Sequence, residues 1–259
     1  MATALTHGHY GSASSTITHS SGTLDARTRV GHLTRNIRIV AGPALTYGFT
    51  TYVYRMFDDA SNKVRIGNLV LNGVEMRNGG QDSFNPQAAL QFLNVIGGAS
   101  TSTIVDSVIA NCLAECIAVK NSHNISITNT ILYRPKGIGL HLIGSNVKSL
   151  TFSRNLIVGV APSDSAMTKM TACLVKTAYN DPADLNYIDN NVCQGSQGYG
   201  FVLPHLKCNE LSTNTMKWNT AGSCRIGFLF SSIGQLCQGF SRISAYACAI
   251  GQVSNAPDL

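Results

Sequence analysis

The chain has 259 residues, of which only 12% are charged, with 19 Lys and Arg against 13 Asp and Glu and a formal net charge of +6. Mean hydropathy is +0.08, and Gly, Ser, Thr, Asn and aliphatics dominate, which excludes a disordered chain and a long Glu/Lys/Leu/Ala-rich helical assembly. The positive charges are scattered singly, so nucleic acid is not an expected partner, and no apolar stretch approaches the roughly 20 residues of a membrane span.

Residues 1 to about 30 are rich in Thr, Ser, Gly and His and show little periodicity. Met1-Ala-Thr-Ala-Leu-Thr-His7 has no apolar core of a signal peptide. The chain is therefore read either as cytosolic or as a piece of a larger secreted polypeptide. Strand-like alternation starts at Leu33-Thr-Arg35-Asn-Ile37-Arg-Ile39 and resumes over Lys63–Met76. Residues 1–60 are read as an N-terminal β segment that leads into and caps a repeat region. Residues 61–259 are read as that region, with an insertion near 161–171. Asp58-Asp59 is the one adjacent acidic pair. It precedes Ala-Ser-Asn62-Lys63, so a solvated turn is expected rather than a site.

From about residue 88 two families of runs interleave. One steps through Ile104, Ile127, Phe152 and Tyr187, at intervals of 23, 25 and 35. The other steps through Ile117, Leu140, Leu174, Phe201 and Phe228, at intervals of 23, 34, 27 and 27. Two strand families with one shared period mean stacked coils, each with at least two strands. The expected fold is all-β, a right-handed parallel β-helix built as a single-stranded solenoid. Residues one repeat apart then lie about 4.8 Å apart along the axis. Apolar columns fill the interior, and Asn, Ser or Thr columns form ladders at the corners. Gly and Asn recur between strands because tight corners need positive φ.

If the second family points inward, its successors Ala118, His141, Val175, Val202 and Leu229 point outward. Four of these five are apolar, so that face is expected to be covered by something. Val175, Val202 and Leu229 are the interface candidates. The occupants considered are the insertion, a neighbouring domain or another copy of the chain.

The eight cysteines fall at 112, 116, 173, 193, 208, 224, 237 and 248. Cys112 and Cys116 do not make a C-x-x-C, and no second pair at metal spacing follows, so no metal and no cofactor are expected. Disulfides of an oxidising compartment are the reading, with buried thiols as the alternative. Asn124-Ile-Ser126 is an N-glycosylation sequon, and Asn124 is the glycosylation candidate.

One segment carries a family signal. His7-Gly-His9-Tyr-Gly11 is followed by Arg29-Val-Gly-His-Leu-Thr-Arg-Asn-Ile37. This resembles the junction in fibrocystin and fibrocystin-like proteins where a G8 domain meets parallel β-helix repeats. There a His-containing strand precedes a run much like EVGLLTRNI, and Arg29 here replaces the acidic residue. Residues 189–208 and Trp218-Asn-Thr-Ala221 are similar too. The resemblance implies a large extracellular, cell-surface protein. A sister branch resembles the hyaluronan-binding and hyaluronan-degrading cell-surface proteins, with a Tyr-Pro-Ile-His-Phe-His-like stretch after its early rungs. This chain has Pro86-Gln-Ala-Ala-Leu90-Gln-Phe-Leu93 there, with neither His.

A glycosidase needs two carboxylates about 5 to 9.5 Å apart. The repeat register puts Asp106, Asn129, Arg154 and Asp189 in one column, so Asp106 and Asp189 lie three coils, roughly 14 Å, apart. Arg154 beside Asp189 is read as a structural ion pair. His7, His9 and His32 are weighed as a cluster, and His141 and His205 as lone surface or packing residues. No catalytic residue is assigned. The reading is a non-catalytic extracellular structural protein, assembling end-to-end or laterally into a coat or filament. Glycan binding is the second reading and polysaccharide cleavage the third.

Overall fold

The computed structural model describes residues 16–19, 22–25, 31–42, 47–82, 87–144, 146–162, 170–176, 186–203, 216–231 and 240–256. Every regular element among them is a strand. The chain divides into two units, Met1–His32 and Leu33–Leu259. In the first, Thr16–His19 pairs antiparallel with Gly22–Asp25.

The second unit is a parallel β-helix with three strands per coil. The first sheet runs Val70–Asn72, Ser102–Val105, His123–Thr128, Lys148–Ser153 and Tyr187–Asp189, with Met216–Lys217 and Phe240–Ser241 as a separate parallel pair. The second runs from Ile37–Val40 through Val74–Arg77, Val108–Ala110, Ile131–Tyr133, Leu156–Val158, Val192–Gln194 and Thr220–Gly222 to Ser244–Tyr246. The third runs from Thr51–Asp58 to Ile250–Ala256, and Lys63–Ile66 adds antiparallel at its edge. The alternation over Lys63–Met76 thus serves three strands. It breaks at Gly73, whose φ of 64° turns the chain from the first sheet to the second.

The interior is built of columns. Ile104, Ile127, Phe152 and Ile188 stack in register and are fully buried. The expected step to Tyr187 is one residue early: Tyr187 pairs with Thr151 and is exposed. Leu140 pairs with Cys173, not Leu174, so Leu174 follows His141 and Val175 follows Leu142. Val175 therefore leaves the outward column and Leu174 takes its place. The cause is the run Ala172-Cys-Leu-Val175, apolar at every position, which reads equally well in either phase of a period-2 pattern.

The corners explain the recurring Asn. Asp106, Asn129, Arg154, Asn190, Trp218 and Arg242 occupy one corner column, with φ between 49° and 60°. The residues that follow turn inward and form a ladder. Asn155, Asn191 and Asn219 are buried. Thr130 N–H donates to Asn155 Oδ1 (2.9 Å), Asn155 N–H to Asn191 Oδ1 (3.0 Å) and Asn191 N–H to Asn219 Oδ1 (3.1 Å). Their Nδ2 groups donate to the carbonyls of Ile127, Phe152 and Ile188. The ladder thus satisfies main-chain groups that the corner removes from the sheets.

Leu33–Asn36 does not continue as strand. It crosses the outside of the second sheet, where Leu33 packs on Val108, Ala110 and Ile131, and Arg35 Nε donates to the Asp106 carbonyl (2.6 Å). Beside it lies a buried carboxylate that the sequence pattern does not announce. Glu75 is fully buried, with Arg38 Nε 3.1 Å from Oε2 and Arg77 Nη2 2.6 Å from Oε1. Burial alone would raise the Glu75 carboxyl. The Arg77 hydrogen bond and the charges of Arg77 and Arg38 outweigh it and hold the group below its ordinary value. A depressed folded-state value means the unfolded chain binds the proton more readily. Stability is therefore fully present above the ordinary Glu range and is lost as pH falls through the lower, folded-state value. Urea midpoints of the wild type should fall between about pH 5 and pH 3 more steeply than those of Glu75→Gln; equal slopes would refute this assignment.

Candidate functional site

Acid–base chemistry finds little support among the described residues. Asp58 ends Thr51–Asp58 at the turn into Lys63–Ile66. Its Oδ2 accepts from Ser61 Oγ (2.6 Å) and from Arg65 Nε and Nη2 (3.2 and 3.1 Å). The Ser61 hydrogen bond and then that of Arg65 lower its carboxyl. The pair Asp58-Asp59 thus sits in the turn expected for it. Asp106 and Asp189 are again about three coils, roughly 14 Å, apart. Asp189 falls one place short of the corner column, which Asn190 occupies. Its Oδ2 accepts from Asn190 Nδ2 (3.1 Å), and no ion pair joins it to Arg154. The expected Arg154–Asp189 pair is corrected for the same one-residue slip that moved Tyr187.

His141 is not isolated. Its Nδ1 lies 2.8 Å from Glu115 Oε1, and both side chains are mostly buried. The register puts Ala118 between Gln91 and His141 on the outer face of the third sheet. Gln91 Nε2 donates to Gln87 Oε1 (2.7 Å), which also accepts from Tyr52 O–H (2.8 Å). A working dyad must present its other ring nitrogen to substrate. His141 Nε2 is shut off from solvent with no partner, so this pair packs the sheet.

The outward apolar column is buried inside the single chain. Leu174, Val202 and Leu229 are 4%, 5% and 2% exposed, with Ile138 and Tyr199 against them. Asn124 lies in His123–Thr128 with a φ of 56°. Its half-buried side chain donates from Nδ2 to the Gly98 carbonyl (2.7 Å). His7, His9, His205, Cys208, Cys237, Pro86, residues 163–169 of the expected insertion and the Val175 side chain lie outside the described residues. His32 belongs to the first unit. Among the described residues no group of three or more His, Cys, Asp or Glu is placed to hold a metal ion.

The exposed corner between the first and second sheets offers more. Asn190 N–H donates to the Lys217 carbonyl (2.9 Å), which sets Trp218 beside Asn190. Lys217 pairs with Ser241, which sets Arg242 beside Trp218. Arg154, Asn190, Trp218 and Arg242 thus form consecutive steps of one ridge, about 4.8 Å apart. All four are exposed, as is Lys217. The Arg242 guanidinium carbon lies 4.2 Å from the Trp218 ring centroid. Trp218 is the chain's sole Trp, and it is 48% exposed. Its φ of 60° is rare for a bulky residue and costs roughly 1–3 kcal/mol. The corner imposes this backbone on every residue of the column, so what sets Trp218 apart is a bulky aromatic held where Asn would fit with less strain. An exposed indole face flanked by three cations can stack on a sugar ring while the cations meet its carboxylate.

A sequence signal for this ridge existed. Phe152-Ser-Arg154 recurs as Phe240-Ser-Arg242, and Met216-Lys-Trp218-Asn219 aligns with Ile188-Asp-Asn190-Asn191. Together these alignments set Trp218 and Arg242 in the corner column.

A family model described as the CEMIP beta-helix matches residues 61–244, more than half of the chain. The comparisons with curated proteins and with solved structures gave no match.

Proposed function

The chain belongs to the CEMIP beta-helix family, and on that premise we propose that it is an extracellular β-helix module that binds an acidic polysaccharide of the hyaluronan type without cleaving it. The observation that carries this reading is Trp218, strained, exposed and stacked on Arg242, with Lys217 and Arg154 on the same ridge. The resemblance of Arg29–Ile37 to fibrocystin-like proteins supports the extracellular assignment. So does the disulfide Cys112–Cys116, since such bonds belong to oxidising compartments. No helix among the described residues is long and apolar enough to cross a membrane.

The test is binding of the full chain to hyaluronan oligosaccharides by calorimetry at several salt concentrations. Three exposed cations should make affinity fall on the order of tenfold between low and physiological ionic strength. Absence of binding at low salt overturns the proposal. So does shortening of the polymer on prolonged incubation, which would restore a catalytic reading. A scaffold role in an extracellular coat is the second reading. It is favoured by Ile37, Ile39 and Val40, which are 60%, 40% and 47% exposed on the edge strand of the second sheet.

A further inference from the structure

Among the described residues, the core at the far end of the solenoid holds four free cysteines, of which Cys173, Cys193 and Cys224 are buried and Cys248 half-buried. Two of them meet. Cys193 Sγ lies 3.5 Å from Cys224 Sγ, about 1.5 Å more than a disulfide bond. Cys193 occupies the inward column of the second sheet, directly followed by Ala221 in the next coil. A methyl side chain there leaves the Cys193 sulfur room to reach past it to Cys224, three residues on. Cys224 sits just after Ser223, at the corner whose other coils carry Asn111-Cys112 and Ala247-Cys248. At that same corner Cys112 is already oxidised, to Cys116.

We propose that Cys193 and Cys224 form a disulfide that joins two successive coils through the core. The compartment, but not the geometry, rests on the extracellular reading above. The Cys224 thiol is lowered by the hydrogen bond from Cys193, and the Cys193 thiol is raised by the same contact and by burial. Cys224 is taken as the attacking sulfur because it sits at a corner beside Ser223, whereas Cys193 lies within a strand on the inward column. The oxidant is a small-molecule disulfide such as oxidised glutathione. As the chain folds, before the coils close over it, the Cys224 thiolate attacks one of its sulfurs and releases one glutathione thiolate. Cys193 gives up its proton and attacks the Cys224 sulfur of the mixed disulfide, expelling the second thiolate. Two protein thiols lose two electrons and two protons, and one glutathione disulfide becomes two thiols. A loop of this length, closed in the unfolded chain, should also stabilise the far end of the solenoid.

The experiment uses the full chain, refolded from urea in a glutathione buffer of extracellular poise, then unfolded, alkylated and digested without reduction. Mass spectrometry should find one peptide pair linked through Cys193 and Cys224. Both residues alkylated, or either linked to Cys248, Cys208 or Cys237, overturns the proposal. In the oxidised protein Cys224→Ala and Cys193→Ala should lower Tm by similar amounts, and the double variant by no more than either. Additive losses, or losses undiminished when all proteins are compared fully reduced, also overturn it. Polysaccharide binding is read in a separate assay, so failure of the link leaves the functional reading standing, and the converse holds.

Discussion

Asn191→Ala should lower the unfolding free energy by about 2–6 kcal/mol, a large part of the roughly 5–15 kcal/mol that holds an ordinary domain together. The side chain is fully buried and serves both neighbouring coils. Its Oδ1 accepts from the N–H and the Nδ2 of Asn155, both at 3.0 Å. Its Nδ2 donates to the Phe152 carbonyl (2.8 Å) and to Asn219 Oδ1 (3.0 Å). Alanine leaves the Asn155 N–H buried and unmatched, worth about 1–3 kcal/mol, and removes further buried hydrogen bonds worth about 0.5–1.5 kcal/mol each. The neighbouring Asn190 provides the control. It is exposed with a φ of 58°, so Asn190→Ala should cost only about 1 kcal/mol, through its backbone. Asn190→Gly should cost less still. Urea denaturation of the three variants decides the matter. Equal losses at 190 and 191 would mean that the ladder carries none of the stability assigned to it.

These two adjacent asparagines show what was legible and what was not. The recurrence of Asn and Asp betrays stacked coils, because corners need left-handed backbone and their groups need partners. The phase of each strand is legible where apolar and polar residues alternate, as in Ile125-Ser-Ile127-Thr. It is lost where alternation stops. Ala172–Val175 offers no polar residue to fix the outward face. The long coil between Asn155 and Asn191 leaves Tyr187 and Ile188 as rival inward residues. Those two slips displaced Val175 and Asp189. Glu75 was illegible for another reason. Its neutralising partners Arg38 and Arg77 come from the adjacent strand and from its own, and nothing in local pattern tells a buried carboxylate from a solvated one. The ridge was hidden because its members are ordinary one by one. The sequence repeats set Trp218 in a column otherwise held by Asp, Asn and Arg once Ile188, not Tyr187, is taken as the inward residue.

That column is also why Trp218→Asn should separate binding from stability. Asn129 and Asn190 show that Asn suits this corner, and Asn tolerates left-handed backbone far better than Trp does. The variant should be at least as stable as the wild type, since relief of roughly 1 kcal/mol of strain offsets the exposed cation–π contact with Arg242, which is worth about 0.5–1 kcal/mol. Its affinity for hyaluronan oligosaccharides should nevertheless fall on the order of 10- to 30-fold, as expected when an exposed aromatic anchor is removed. Arg242→Lys keeps the charge but not the planar group stacked on the indole, so it should weaken binding by a smaller factor. Calorimetric titrations beside urea curves read both quantities on the same protein preparations. Unchanged affinity in Trp218→Asn would remove the ridge from the binding surface. A marked loss of stability would show that Trp218 is retained for the fold rather than for a ligand. A gain in stability bought with affinity is the outcome particular to a strained residue kept for its ligand.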